Sequence, residues 1–572
     1  MPYDLVIKDA KVVDGSGMPA YAADVAVQDG RIAEIGRVTE SARRTIDAQG
    51  LALSPGFIDH HTHLDAQLLW DGLGRSSPEH GVTTVITGNC GLSLMPAKPG
   101  DGSALIGTFV RVEAIPRHIL ESVEWRWNTV AEYFKVLQER LGINVASMVG
   151  HNALRQYVMG EDATEREATP EEIAAMQQAL RQAIADGAIG YTVNRNQGHY
   201  RDDGKPLPSR MASEEEMLAL ASVLSEFNAG IVQHSNMGAH KVENIDWYAR
   251  LASAARRPIL WSSVNWRYDA PDLWREQLDY VEKYVKDGLR MYGNTNIRPT
   301  ANRFTLRNTQ GWDMYPTWKS VFSQPIEERR VSLADAATRQ TMRRELVEIL
   351  PSRPGEPGFF NRRWDLIKVM RTVLEENRSL EQRNLEEIAR MRGAQDPMEA
   401  MFDLALQEDL NTLFIRTEAQ DDEVVAAIIK SPYTNVGMSD AGAHVAFDAG
   451  FGISTMVLGY WVRQKGMLTL EEAVNILTLK VASIMGIKDR GLVWPGWKAD
   501  LALFDPDSVE ALESVEEADY PGGFSRMVQH ARGVHYTIVN GEVLLEQGEH
   551  TGAYPGRVIR NAWAQARAGA AV

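Results

Sequence analysis

Cysteine is almost missing from this chain: Cys90 is the single one among 572 residues. No intramolecular disulfide can form, which fits a reducing compartment. No stretch approaches about 18 uninterrupted apolar residues, the length a membrane-spanning helix needs. The N-terminus, Met-Pro-Tyr-Asp-Leu-Val-Ile-Lys-Asp, lacks a basic region followed by a long apolar core, so no signal peptide is expected. Positive charge is also short. Sixty Lys and Arg stand against 77 Asp and Glu, a formal net charge of −17. That balance disfavours nucleic acid and anionic membrane as partners, because both need basic surface. Low-complexity tracts and short-period repeats are absent. A cytoplasmic location is the expectation.

What is present is apolar residue in quantity, 44% of the chain, enough for a sizeable core. The length suits a large domain plus an accessory one. Both ends read as strands. Asp24-Val-Ala-Val-Gln-Asp-Gly-Arg-Ile-Ala-Glu-Ile-Gly36 alternates around Asp29-Gly30, a strong hairpin signal. Tyr536-Thr-Ile-Val-Asn-Gly-Glu-Val-Leu-Leu545 does the same around Asn540-Gly541, and Ala499–Asp505 precedes it as a further strand. These segments either pair into one small β-sandwich or form two unrelated sheets.

Between the ends, strands and helices alternate. Thr83–Thr87, Val145–Val149, Ile189–Val193, Gly230–His234 and Pro258–Trp261 read as strands. Thr169 caps a helix with Pro170 at its first position and Glu172 completing a capping box. Ser213 starts another, reaching Phe227, and a last helix spans Leu470–Met485. This alternation predicts a parallel α/β architecture. Residues 300–400 break the rhythm, with many Arg and Glu and helices lacking clear strands between them. They read as an inserted segment after a barrel strand, placed over the active-site mouth. The barrel is expected to resume at Thr412–Ile415 and Thr434–Met438.

The densest chemistry lies in Ser54-Pro-Gly-Phe-Ile-Asp-His-His-Thr-His-Leu-Asp65. Residues i and i+2 of a strand share a face, so His61 and His63 project together. Neutral imidazole is a common zinc ligand. A His-x-His pair alone is more often accidental, but further candidates stand at other strand ends. Thr87-Gly-Asn-Cys-Gly-Leu-Ser93 places Cys90 between glycines after a strand. Gln233-His234 ends another strand, and Gly437-Met-Ser-Asp-Ala-Gly-Ala-His444 carries Asp440 and His444. No Gly-x-Ser-x-Gly elbow has strand–helix support, so a nucleophilic serine is not expected.

Taken together these motifs resemble the amidohydrolase superfamily. Gly81-Val-Thr-Thr-Val-Ile-Thr-Gly-Asn-Cys-Gly91 and Val149-Gly-His-Asn-Ala-Leu-Arg155 are similar to its D-aminoacylase (N-acyl-D-amino-acid deacylase) branch. The resemblance implies a distorted (β/α)8 TIM-like barrel over 55–485, with a β-sandwich built from 1–54 and 486–572. It implies a zinc site with His61, His63, Cys90, His234 and Asp440 as ligands. It also implies a small-molecule substrate whose amide bond is cleaved by metal-activated water, with Asp440 as general acid and base. One position departs. The branch places Ser-His-x-Lys on its sixth strand, the His for metal and the Lys for the substrate carboxylate. Here Ser263 and Asn265 stand instead, in Trp261-Ser-Ser-Val-Asn265. One tightly bound ion is therefore expected rather than two. Asn265, Arg298 and His444 are the candidate substrate contacts. Trp261, Trp266 and Trp312 hint at an apolar substrate group. An ester or lactone hydrolase on the same metal site and a non-catalytic binding protein are the alternatives. A homo-oligomer is compatible with the sequence.

Overall fold

The turn residues place both terminal hairpins. Asp29 and Gly30 take left-handed backbone between strands Tyr21–Gln28 and Arg31–Gly36. Asn540 and Gly541 do so between Val534–Val539 and Glu542–Glu546. Two consecutive positive φ angles match the twist of the flanking strands. The structure, a computed structural model, describes all residues except 1, 101, 197–198, 236–241, 299–300, 308, 310, 313, 351–359, 361, 418–419, 446–448 and 571–572. Both hairpins belong to one nine-stranded sheet, joined where Leu501–Phe504 pairs antiparallel with Ala52–Pro55. The ends of the chain thus share a single sheet.

Ala52–Pro55 leads through Gly56 into the first of the parallel strands, Phe57–Asp59. With Val82–Thr87 and Asn144–Ser147 this makes a three-stranded parallel arc. A second arc has six parallel strands: Val149–Gly150, Gly190–Val193, Ile231–His234, Ile259–Ser262, Met291–Thr295 and Thr434–Val436. Only Met148 separates the end of one arc from the start of the other. At the opposite seam a parallel bridge links Thr62 to Ala441. All these strand residues are buried except the half-buried Tyr292. That is the pattern of strands covered on both faces.

The helices between them start as expected. Thr169 and Glu172 form a reciprocal capping box on Pro170–Asp186, and Ser213 caps Glu214–Phe227. The final helical stretch is two helices, Leu470–Leu477 and Leu479–Met485. Thr478 breaks it at φ −131°, ψ −90°. No described helix is long and apolar enough to cross a membrane.

The inserted region differs from its reading. Leu413–Thr417 is not a strand of the parallel arcs; it is the centre of an antiparallel sheet with Ala301–Phe304 and Ile367–Arg371. Its burial shows why: only Phe414 is fully buried, whereas the parallel strands are buried almost throughout. Strands therefore do occur inside 300–400. Side chains from Leu306 to Phe414 form their own apolar cluster, in which Trp312 stacks on Trp318.

Candidate metal centre

The first strand ends at Asp59, and the chain continues His60-His-Thr-His63, all buried. The loop that carries Asp440, across the Thr62–Ala441 bridge, fixes this turn. Asp440 N–H and Ser439 Oγ–H both donate to His61 O, and His63 N–H donates to Ala441 O at 2.8 Å. Gly442 is required there. Its φ is +87°, and a Cβ would meet His63 O at 2.9 Å and Leu64 Cδ2 at 2.8 Å.

The Cys90 loop is held from two strands. Cys90 N–H donates to Gln233 Oε1, Gly91 N–H to Thr192 Oγ1, and Asn152 Nδ2 to Gly91 O. Cys90, Asp440 and His444 all have left-handed backbone, at φ 55°, 53° and 56°. Non-glycine residues in that region cluster at functional sites.

The side chains then converge. His61 Nε2 is 3.3 Å from Cys90 Sγ and 3.2 Å from Asp440 Oδ1. His63 Nε2 is 3.8 Å from the same Asp440 oxygen. Donor atoms of His61, His63 and Cys90 all lie within 4.8 Å of one another. Bonds of about 2.0–2.3 Å at tetrahedral angles put neighbouring donors about 3.3–3.8 Å apart, so this spacing fits one shared ion. The chemistry fits as well. Burial holds both imidazoles neutral, pushing His63 down to about 3, so their lone pairs are available. Burial, with Glu113 and Asp440 close by, pushes the Cys90 thiol up. A thiol gives up its proton on coordination, which relieves that cost. Burial works against the Asp440 carboxylate too. His61, His63, His444 and Arg298 outweigh it and hold Asp440 below the usual carboxylate range.

His234 is not among the donors that lie within 4.8 Å of one another. Its Nδ1 pairs with Ser235 O, and its Nε2 accepts from Trp247 Nε1–H at 3.2 Å. Asn265 is occupied, donating to Ser263 Oγ in its own loop and accepting from Asn296 N–H in the loop after the next strand. Arg298 donates to Ala449 O and adds positive charge near Asp440. His444 is 39% exposed at the rim of the cluster. Trp261 and Trp312 are core residues, 1% and 2% exposed, so neither offers a surface to a substrate.

Glu113 and His199 lie outside every motif, and Asp65, the last residue of the His-x-His motif, had no role assigned from sequence. Glu113, just past helix Gly102–Val112, is 3% exposed with Oε1 3.5 Å from His63 Nδ1. Burial, with Asp440 and Asp65 near, pushes its carboxyl well up. Asp65 accepts from Gly88 N–H and is pushed up by burial to about 7. His199 packs between Asn194 and Asn196, and burial lowers it to about 4. A charged residue at the end of an apolar helix was the one available cue for Glu113.

The amidohydrolase family profile matches residues 44–545. The chain is 27% identical over 565 residues to a D-aminoacylase of Alcaligenes xylosoxydans xylosoxydans, covering 98% of both chains. It is 28% identical to the N-acyl-D-aspartate deacylase of the same organism, covering 97% of this chain and 95% of that one. Among solved structures, the N-acyl-D-glutamate deacylase of Bordetella bronchiseptica, complexed with zinc and a phosphonate inhibitor, superposes with a TM-score of 0.65. That pair is 25% identical and covers 98% of this chain and all of the other. Profile, full-length relatives and structure agree with one another: this chain belongs to the amidohydrolase family, on the branch that contains D-aminoacylase.

Proposed function

We propose that this protein is a zinc hydrolase that cleaves the amide bond of a small N-acyl amino-acid-like compound. The observation that carries the reading is the meeting of His61, His63, Cys90 and Asp440 from three separate strand ends. We take the two parallel arcs as a barrel that closes at the Met148 junction and at the Thr62–Ala441 bridge. Its rim is where such folds keep their chemistry.

His61, His63, Cys90 and Asp440 are the residues that would hold one ion. An ion there supplies a Lewis acid for the scissile carbonyl and activates water. Asp440 does the proton work. Its carboxylate, kept ionised and 33% exposed, takes a proton from the attacking water and delivers it to the leaving nitrogen. His234 is the conditional donor, because Nε2 can take an ion only in exchange for the Trp247 N–H. Asn265 ties its loop to that of Asn296, so the substrate carboxylate is assigned to Arg298, with His444 lining the entrance.

Asp440→Asn tests the assignment. Turnover falls roughly 10²–10⁴-fold, the contribution of a positioned acid–base group. Zinc content by elemental analysis stays near one ion per chain. Parallel loss of zinc and activity would make Asp440 structural. A panel of N-acyl D- and L-amino acids beside matched esters tests the substrate. Hydrolysis of esters with no amide cleaved would overturn the amidase reading.

A further inference from the structure

We infer that Glu113 is a positioning residue for this centre, fixing the orientation and tautomer of His63 from behind. The inference rests on the metal reading above and adds to it a residue outside every motif. His63 has a carboxyl group facing each of its ring nitrogens. Nε2 faces Asp440 Oδ1 at 3.8 Å, and Nδ1 faces Glu113 Oε1 at 3.5 Å. Nδ1 is buried and has no shorter hydrogen bond among the described residues. The separation is long for a hydrogen bond and closes with a side-chain adjustment of about half an ångström.

A neutral imidazole carries one N–H. With that proton on Nδ1, directed at Glu113, the Nε2 lone pair is left facing His61, Cys90 and Asp440. The opposite tautomer would aim an N–H at the ligand cluster and remove a donor from it. Metal-bound histidines generally hand their second nitrogen to an acceptor of this kind.

A main-chain tie strengthens the placement. His444 N–H donates to Glu113 O at 2.6 Å, and Glu113 N–H donates to Phe109 O at 3.0 Å. The helix end is therefore locked to the loop that follows Asp440. His444 Nε2 lies 4.0 Å from Glu113 Oε2, so one carboxyl group faces a histidine on each side of the Thr62–Ala441 bridge.

The test is zinc affinity of the full-length protein by chelator competition, in wild type, Glu113→Ala, Glu113→Gln, His63→Ala and the Glu113→Ala/His63→Ala double variant. Glu113→Ala should bind zinc roughly 10- to 100-fold more weakly, the usual cost of losing such a partner. Glu113→Gln should recover most of that, since its amide oxygen still accepts from Nδ1–H. In the His63→Ala background, removing Glu113 should cost almost nothing more, because the residue acts through His63. Wild-type affinity in Glu113→Ala, no rescue by Gln, or an undiminished loss in the His63→Ala background would each overturn the inference. If Glu113→Ala fails to fold, Glu113→Met, which keeps the volume without the acceptor, is read against Gln instead. Wild type taking up no zinc would sink the metal reading as well. Zinc-binding wild type with an unaffected Glu113 variant would sink this inference alone.

Discussion

Cys90 enters the cluster through its backbone as much as its sulfur. The left-handed φ of 55° and the N–H held by Gln233 Oε1 turn Sγ toward His61. Removing that sulfur takes away a direct ligand. Cys90→Ala should therefore lose zinc by more than roughly 100-fold, beyond the range of an outer partner. Zinc per chain after dialysis against chelator measures it, and full occupancy would end the thiolate assignment. His234 gives the opposite sign. Trp247→Phe removes the competing indole donor on Nε2, a bond contributing about 1 kcal/mol. Zinc affinity should rise severalfold in that variant, and an unchanged affinity would place His234 outside the centre. Most of the convergent side chains were legible in the sequence because each closes a buried strand with an abrupt polar switch, as at His61, Cys90 and Asp440. Glu113 and His199 were not, because one arrives from a helix end and the other from a loop. Nor does the Trp247 indole bond have a sequence signature; it depends on how a helix packs over its strand.

Elements were readable where local chemistry decides them. Thr169, Ser213, Asp29-Gly30 and Asn540-Gly541 each act within four residues of themselves, and the structure uses all of them. Thr412–Ile415 misled because a short apolar run does not reveal its partners. Leu413–Thr417 pairs with Ile367–Arg371 and Ala301–Phe304, and its direction is fixed by them rather than by its own residues. The inserted sheet has a core of its own, so its stability is separable. Trp318 is fully buried, donates from its indole to Met342 O, and packs on Trp312 and Phe402. Trp318→Ala should cost about 3–5 kcal/mol, the range for a buried aromatic cut to alanine. Limited proteolysis should then cut first within 301–417, leaving the terminal sheet protected. Uniform cleavage along the chain would mean that the inserted region does not open on its own.

At the scale of the whole molecule, remote segments are fastened over the parallel strands by charge as well as by sheet. The hairpin of Glu510–Tyr520 and Phe524–Arg532 comes from the C-terminal part of the chain. It reaches the loop beyond Asp440, since Met527 N–H donates to Val445 O, and Gly452 N–H donates to Gln529 Oε1. His530 fixes its flank, with Nδ1 2.7 Å from Glu79 and Nε2 2.7 Å from Glu517. Only the protonated ring donates at both nitrogens. Burial opposes that charge, but the two carboxylates outweigh it and raise His530 above its ordinary 6.5. A raised folded-state pKa contributes stability that is complete below the unfolded value of about 6.5 and is lost as pH rises through the folded value. Glu79 is raised as well, chiefly by burial, so its own linkage also favours the folded state less as pH rises. Amide exchange, corrected for intrinsic rates, should accordingly show the hairpin losing protection as the pH rises past the ordinary histidine value of 6.5, while the parallel strands keep theirs. His530→Gln, which stays neutral, should flatten that dependence and leave the hairpin at its high-pH protection throughout. An equal fall with pH in the variant would move the effect off this histidine, and the imidazolium would then be a bystander to how the C-terminal hairpin is held.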